Sequence, residues 1–495
     1  GIYAYFFVHG SKFLKEGGYF GFIVPNSWLD VDYGKGLQEF FLRNYKIAAI
    51  IGSKVERWFE DADINTCIVI LQKCKNKKDR DDNFTRFVYL KKPLRYFISP
   101  VQDIWEKQKE RLDKIDDLIK TIFFHSELYE NEDLRIYAKK QKELREEGFD
   151  PSKKKYTGTK WGIYLRSPTI VFEILLKLEK SFVKFSNLFN VEWGSIKTGA
   201  DNYFYLDEKS LNEKKIEKRF VNQKVVRSPK DSKTIEISGN DLKTYLLVVD
   251  KDKKKLAGTN VLSYIIKGES KGLDTRPTCS SRTLWYDLSS ALSKRANILW
   301  PGGLYNRFVV FWNAEKYISD RRLFNIYPKF DDEPLNKVYC AVLNSTLYSL
   351  FIEVYLKTVF GQGLLLADTY AVERMPLINL ENLDKDTVSK ILDIFGGLKN
   401  RAIGSIFEET GANSSDEVNL EKIRSDRREL DKIVMGEILG LSDDEQLEVY
   451  RAVVDMVKSR IEKAKSVGKK KKIIEGIDID SLKNTIIESI DKKEE

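Results

Sequence analysis

The chain has 495 residues, 42% of them hydrophobic and 32% charged, which is typical of a folded protein with roughly two to four domains. The net charge of +9 favours a polyanionic partner, although a generally lysine-rich composition explains it equally well. Four cysteines without C-x-x-C spacing and only two histidines argue against a disulfide framework, a zinc site and a histidine-based triad. No apolar run approaches the roughly 18 residues of a membrane span. We expect no signal peptide and a cytoplasmic protein without membrane contact.

Helical and strand-like patterns alternate over the first 73 residues. The chain opens with Gly1 inside an amphipathic helical pattern, so we expect an N-terminally truncated domain. The predicted elements are helices over 2–14 and 37–44 and strands over 20–24, 47–51 and 66–71. A helix between the first two strands predicts that they form a parallel pair in a covered sheet.

Ligands of open α/β sheets bind beyond the carboxyl ends of the strands. Two segments in such positions are candidates for a site, 25–28 and 58–59. We predict Pro25 and Asn26 at the rim of a pocket, although the residues alone slightly favour Asn26 as a cap of the next turn. Trp58 and Phe59 are either exposed aromatics of a binding loop or ordinary core residues.

Residues 76–160 predict a charged connector. The stretch 84–90 alternates like an added strand, whereas 103–147 has a mixed-charge helical pattern typical of a solvated helix. Gly, Pro, Ser and Lys dominate 148–159, which we predict to be a domain boundary.

Polar and cationic side chains recur at turns over 161–380. The run GSIKTGADNYF at 194–204 predicts a turn between two strands, which either brings backbone amides and a lysine near phosphates or forms a plain β-hairpin. The run RTLWY at 282–286 interleaves cations with aromatics that can bind guanine edges or stack on bases. The predicted DNA-binding residues are Lys197, Thr198, Gly199, Asn202, Arg276, Arg282, Trp285, Arg307, Arg322 and Gln362.

Helical periodicity dominates 381–465, and 466–495 is predicted to be a flexible basic tail. Arg424, Arg427 and Arg428 are predicted to form surface pairs with Asp426 and Asp431 rather than to bind phosphates.

An ordered set of motifs resembles gamma-class N6-adenine DNA methyltransferases, the group of Taq-type enzymes and fused type IIG restriction–modification proteins. In chain order the motifs are GG, VPNSWL, LxxFFL, FxDAxxNT, GSIKTGADNYF, RTLWY and LNSTL. The resemblance covers about 1–73 and 185–380. It implies an α/β fold: a partial Rossmann-like methyltransferase sheet (1–75), the connector, an α+β target recognition domain (161–380) and the helical C-terminal region.

The resemblance also implies roles. Phe59 stands where the family stacks an aromatic ring on the flipped adenine, and the partners are S-adenosylmethionine and double-stranded DNA, with other restriction or defence subunits possible. The family's cofactor glycine turn and N-P-P-Y tetrapeptide are not in this sequence; we expect them upstream of Gly1, so that this fragment alone is inactive. The alternatives are a non-catalytic DNA-specificity module that partners a catalytic subunit, and a helical interaction scaffold.

Overall fold

The structure, a computed structural model, describes residues 1–30, 33–56, 58–59, 65–98, 108–150, 154–359 and 363–474. The chain divides into two compact units, Gly1–Phe172 and Glu173–Glu495. Helices and β-sheets occur in both units, which confirms the predicted mixed α/β class. The division lies further along the chain than the boundary predicted at 148–159.

Unit 1 contains one large sheet, a small two-stranded sheet of β7 and β8, and helices. The strands of unit 1 are β1 (Tyr19–Pro25), β2 (Tyr45–Ser53), β3 (Thr66–Lys73), β4 (Phe84–Leu90), β5 (Tyr129–Glu130), β6 (Leu134–Lys140), β7 (Phe149–Asp150) and β8 (Lys155–Tyr156). Its helices are α1 (Tyr3–Gly10), α2 (Gly34–Asn44), α3 (Lys77–Asp81), α4 (Leu94–Phe97), α5 (Gln108–Phe124), α6 (Gln141–Gly148) and α7 (Gly162–Arg166), and α8 (Thr169–Lys177) crosses into unit 2.

The large sheet has the strand order β1-β3-β2-β4-β6-β5. The predicted strands β1 and β2 do run parallel to each other, but they do not pair, because β3 lies between them and is antiparallel to both. The prediction of a paired βαβ unit was therefore wrong. The crossover through α2 leaves room for one more strand, and the chain after β2 returns to fill it.

The connector region also differs from the prediction. Residues 84–90 form β4, as predicted, and β4 pairs in parallel with β2. The expected helix over 103–147 is replaced in part by β5 and β6, which extend the same sheet. The charged residues obscure the strand pattern: in LRIYAKK the core positions Leu134 and Ile136 alternate with Arg135, which is itself buried.

The sheet is covered on both faces because its strands are apolar on both sides. Ile50, Val69 and Phe87 pack on one face together with Trp28 and Trp161 of the covering helical segments. Their sequence neighbours, such as Ile51 and Val88, belong to a second cluster on the other face. Alternation of side chains along each strand produces these two clusters.

Unit 2 contains shorter sheets and a helical region. Its strands are β9 (Phe182–Lys184), β10 (Phe189–Trp193), β11 (Tyr205–Leu206), β12 (Gln223–Val226), β13 (Tyr245–Leu246), β14 (Ile298–Pro301), β15 (Gly303–Leu304), β16 (Phe311–Trp312), β17 (Ile318–Ser319), β18 (Leu323–Pro328), β19 (Lys357–Val359), β20 (Leu364–Leu366) and β21 (Pro376–Ile378). Its helices are α9 (Phe185–Leu188), α10 (Asp201–Phe204), α11 (Glu208–Lys214), α12 (Asn260–Ser270), α13 (Pro277–Ser280), α14 (Glu333–Leu343), α15 (Thr346–Tyr355), α16 (Thr369–Glu373), α17 (Lys385–Leu398), α18 (Ile406–Thr410), α19 (Ser425–Asp431), a π-helix (Lys432–Ile438) and α20 (Asp443–Ile474).

Two four-stranded sheets in unit 2 have the orders β10-β18-β14-β16 and β11-β13-β12-β17. The strands on either side of the polar turn at 194–202 thus belong to different sheets: β10 pairs with β18, and β11 pairs with β13. This arrangement rules out the plain β-hairpin that the sequence left open. The turn connects two sheets, which fixes both of its ends.

The predicted helical region follows these sheets. Arg424 lies on the surface, as predicted, but its carboxylate neighbour is Glu409 at 3.9 Å rather than Asp426 or Asp431. The other two arginines are not on the surface. Arg427 and Arg428 are 2% and 8% exposed rather than on the surface, because they bond to Glu409 and to Gln446 and Asp443. Within the described residues, no single helix is long and apolar enough to span a membrane; α14 and α15, bent by 71°, meet that criterion only as a pair.

Candidate functional site

The carboxyl edge of the unit 1 sheet brings the two predicted site segments together. β1, β2 and β4 run in the same direction, so Pro25, Ser53 and Leu90 end at one edge. Pro25 pairs with Thr66, the first residue of β3, and the Asn26 amide donates to the Asn65 carbonyl at 2.9 Å. The chain between β2 and β3 therefore starts and finishes at this edge.

Side-chain hydrogen bonds hold the first described residues of this β2–β3 connection in place. The Ser53 hydroxyl oxygen accepts hydrogen bonds from the amides of Val55 (3.3 Å) and Glu56 (3.1 Å). The Glu56 carboxylate in turn accepts from the Trp58 indole N–H at 3.2 Å and from the Leu94 amide at 2.6 Å. Residues 57 and 60–64 lie outside the described residues.

The two neighbouring aromatics of this loop have different environments. Trp58 is half-buried and packs against the apolar cluster of the sheet. Phe59 has 47% of its surface exposed. Trp58 is fixed by packing and by its bond to Glu56, so the exposed Phe59 ring directly follows a residue that is anchored near the carboxyl edge.

A group of three hydroxyls, absent from the sequence predictions, lies at the end of β1. The Tyr3 and Tyr33 hydroxyl oxygens are 2.9 Å apart, and the Ser27 hydroxyl oxygen is 3.0 Å from that of Tyr33. Burial, together with the neighbouring Tyr33, raises the pKa of Tyr3. Pro25 and Asn26 are half-buried beside them, and Trp28 is fully buried in the core.

In unit 2 the polar turn is fixed to its surroundings by backbone bonds. The Gly194 amide donates to the Leu323 carbonyl at 2.8 Å and the Ile196 amide to the Ser319 carbonyl at 3.1 Å. Gly199 has φ +77°, and a Cβ there would meet the Thr278 Cβ at 2.7 Å. The turn is thus a preformed element whose glycine cannot be replaced without a backbone shift.

Arg282 stabilises this turn rather than projecting away from it. Its guanidinium donates to the carbonyls of Lys197, Thr198 (2.8 Å) and Trp285 (2.8 Å) and lies 5.4 Å from the centroid of the Phe204 ring. Burial lowers the pKa of Arg282. A guanidinium with three such partners is a structural tie, which leaves few of its N–H groups for a ligand.

Arg307 has a similar structural environment. It donates to the main-chain carbonyls of Ile403 (3.0 Å), Pro229 (3.3 Å), Ser232 (3.0 Å) and Lys233 (2.8 Å). These bonds join three loops, so the position of Arg307 favours a role in folding over a contact with bases.

Of the other predicted DNA-binding residues, some are buried and some are exposed to solvent. Trp285 is 8% exposed with its indole N–H bonded to Glu269 at 2.9 Å, and Thr198 is 3% exposed. A buried ring cannot stack on a base, so Trp285 belongs to the core rather than to a DNA-binding surface. Gln362 lies outside the described residues. The exposed ones are Lys197, Gly199, Asn202, Arg276 and Arg322.

Two family models match the chain in the regions that carry these segments. Residues 159–411, just over half of the chain, match the family described as "Type II methyltransferase M.Eco57I, C-terminal domain". Residues 1–59 match the "Eco57I restriction-modification methylase" family. The chain belongs to the M.Eco57I family of type II restriction–modification methyltransferases. This confirms the predicted relationship, whereas the assignment to the gamma class stays a prediction.

Individual relatives of this methyltransferase family agree with the models. The chain is 22% identical over 433 residues to Type II methyltransferase M.AccI of Acinetobacter calcoaceticus, covering 85% of this chain and 70% of M.AccI. It is 28% identical over 138 residues to the restriction enzyme and methyltransferase RM.Eco57I of Escherichia coli, covering 25% of this chain and 13% of RM.Eco57I.

Two solved structures align with this chain over about half of their own length. The type IIG restriction endonuclease BpuSI aligns with a TM-score of 0.46 at 13% identity, covering 94% of this chain and 50% of BpuSI. The type IIL restriction–modification enzyme MmeI, solved with DNA, aligns with a TM-score of 0.45 at 13% identity, covering 94% of this chain and 52% of MmeI. The chain thus spans about half the length of these two proteins.

Sequence reasoning missed two surface residues of the family's C-terminal domain. Trp193, at the end of β10, is 46% exposed, and its ring lies 4.3 Å from that of Phe324. Arg227 follows β12 and lies 3.7 Å from the Asp201 carboxylate at the polar turn. The dipeptide EW after an apolar strand gave a weak signal for Trp193, but nothing in the sequence near Arg227 pointed to Asp201.

Proposed function

We propose that the protein acts as an S-adenosylmethionine-dependent, site-specific DNA adenine-N6 methyltransferase of a restriction–modification or phage-defence system. In this proposal unit 1 supplies the ring that stacks on the flipped adenine, and unit 2 recognises the target sequence. The observation that carries it is Phe59, a ring exposed at the carboxyl edge of the sheet in a chain of this family. DNA is the polyanionic partner that the net charge of +9 favours.

Phe59 would act by replacing the stacking that an adenine loses when it leaves the duplex. The amino nitrogen of adenine is a weak nucleophile, because its lone pair is delocalised into the ring. A stacked ring fixes the plane of the base, so that acceptors elsewhere in the site can polarise that amino group. Phe59 is therefore proposed as the residue that captures the base, not as an acid or a base.

The described residues at the carboxyl edge do not by themselves fit S-adenosylmethionine. Asp30, the carboxylate that follows this end of β1, accepts hydrogen bonds from Nη1 and Nη2 of Arg166 at 2.7 and 3.1 Å. Its charge is thereby paired within the protein, which favours a structural role over a contact with a ribose. Pro25 and Asn26 remain candidates for the rim only, and no methyl-transfer step is assigned to them.

The outer edge of the sheet supports a larger methyltransferase domain. Among the described residues β1 is an edge strand, and Tyr19 and Ile23 on it are 65% and 43% exposed. Tyr5 and Phe6 of α1 are 76% and 56% exposed. Since proteins seldom leave an apolar strand edge open, we infer that further methyltransferase sequence pairs with β1. The same edge would serve a separate catalytic subunit, which is the second candidate: a DNA-specificity module.

The test is methylation by the intact gene product in cells, read by sequencing methylated adenines, followed by kinetics of Phe59→Ala on the target found. We expect methyl transfer to slow by roughly 5- to 150-fold, because stacking one base on an aromatic ring contributes about 1–3 kcal/mol. Val55→Ala, 50% exposed in the same loop, is the matched control. Unchanged kinetics for Phe59→Ala, or methylation of cytosine only, would overturn the proposal.

A further inference from the structure

Asp201 joins two arginines that are far apart in the sequence. Its carboxylate lies 2.9 Å from Nη2 of Arg322 and 3.7 Å from Nη2 of Arg227. On its other oxygen it accepts a hydrogen bond from the Thr198 hydroxyl. Burial raises the pKa of Asp201, but these bonds and charges outweigh it and hold the pKa below its ordinary value, so the carboxylate is ionised at neutral pH.

A second carboxylate, Asp320, contacts Arg322 directly and Arg227 only through Tyr205. Asp320 is 6% exposed and accepts from the Arg322 amide at 2.9 Å and from its Nη1 at 3.4 Å. Tyr205 donates its hydroxyl to Asp320, and the Arg227 guanidinium lies 4.9 Å from the centroid of the Tyr205 ring. The buried part of the cluster is thus fixed to the strands of unit 2.

The outer part of the cluster is open to solvent. The side chains of Arg322 and Arg227 are 47% and 36% exposed. Each guanidinium carries five N–H donors, more than the bonds to Asp201 and Asp320 use. Arg322 precedes β18, next to the anchored turn that exposes Lys197 and Asn202.

Two carboxylates among these arginines are unfavourable for non-specific DNA binding, because they repel phosphates and offset the arginine charge. They are favourable for base reading. An arginine whose guanidinium is already oriented loses less conformational freedom when it forms the bidentate contact to guanine O6 and N7.

We propose that Asp201 is a positioning residue that orients Arg322 and Arg227 to read base edges, guanine above all, in the DNA target. The inference rests on the proposed function, since it names the residues of unit 2 that would choose the target sequence. It assigns affinity and selectivity to different side chains: Lys197 of the turn binds phosphates, and the arginine pair discriminates between bases.

The test compares two quantities on the full 495-residue chain. A randomised duplex pool is selected on the wild-type protein, and the affinities for the selected duplex and for a scrambled duplex are then measured by fluorescence anisotropy. For Asp201→Asn we expect affinity for the scrambled duplex to stay the same or to rise. Discrimination between the two duplexes should fall by about 10-fold or more, which is within the range supplied by one bidentate arginine–guanine contact.

Three variants separate positioning from folding. Asp241→Asn, the same charge change at an exposed position, should alter neither quantity. Lys197→Ala should weaken binding to both duplexes equally. Asp201→Glu, which keeps the charge, should recover part of the discrimination.

The outcomes distinguish this inference from the proposed function. If Asp201→Asn weakens both affinities in parallel, or leaves discrimination unchanged, Asp201 does not position the arginines, while target recognition by unit 2 stands. If the wild-type chain selects no sequence and binds every duplex without dependence on salt, target recognition by unit 2 fails and this inference fails with it.

Discussion

Glu409 provides the most quantitative test of the forces that hold unit 2 together. Its side chain is 1% exposed in α18 and accepts two hydrogen bonds from Arg401, at 2.8 and 2.7 Å. It also accepts from Nε of Arg427 and from the Gly404 amide, both at 2.9 Å. The perturbation is Glu409→Gln, which keeps the shape of the side chain and removes its charge.

The expected loss in the free energy of unfolding follows from the pKa of Glu409. Burial alone would raise this pKa, but the bonds from Arg401, Arg427 and Gly404 lower it from 4.5 to about 2. Each pKa unit corresponds to about 1.4 kcal/mol, so the ionised carboxylate contributes about 3 kcal/mol to the free energy of unfolding. Because the folded pKa is depressed, this contribution is complete above pH 4.5 and is lost as the pH falls towards 2.

The assay is urea unfolding of the wild-type protein and Glu409→Gln at pH 7 and pH 3. We expect the variant to be less stable by about 3 kcal/mol at pH 7 and by roughly half of that at pH 3, where the unfolded chain is already protonated at this position. Glu421→Gln, at an exposed position nearby, should cost much less at both pH values. A loss for Glu409→Gln that is the same at both pH values would refute the reasoning.

Two further variants test the surface of unit 2. Arg282→Met removes the donor to the carbonyls of Lys197 and Thr198, which hold the turn in place. DNA affinity measured by anisotropy should fall by roughly 10-fold, which corresponds to the free energy of one charge-assisted hydrogen bond. Wild-type affinity would mean that the turn keeps its conformation without Arg282. Trp193→Ala should weaken DNA binding by about 1–3 kcal/mol through lost base stacking, with Trp193→Phe close to wild type. Equal affinities for Trp193→Ala and wild type would place the ring away from DNA.

The sequence already contained much of the local structure. Apolar runs of the right length predicted β1, β2, β3 and β4, and helical periodicity predicted the region after 381. It did not contain the order of the strands. β3 entered between β1 and β2, and β6 joined the sheet from a stretch whose charges resembled a helix.

The candidate site divides in the same way. The motifs placed Phe59 and the polar turn at 194–202 on loops. The structure has Phe59 and 194–200 there, whereas Asp201 and Asn202 begin α10. The stacking role of Phe59 stays a prediction. Exposure was not predictable: Trp285 and Arg307 carry suitable chemistry for DNA, yet one is buried and the other is bonded to main-chain carbonyls. The run RTLWY has the same sequence pattern whether the Trp285 ring faces solvent or the core.

By itself, the sequence determined the mixed α/β class, the positions of the main strands and helices, and the relationship to DNA methyltransferases. Only the tertiary structure decided which strands are neighbours, which arginines remain open to solvent, and that Asp201 meets Arg227 and Arg322. The reason is physical. Periodicity and turn residues act over a few neighbours in the chain, whereas burial and ion pairing depend on groups that only long-range packing brings within a few ångströms.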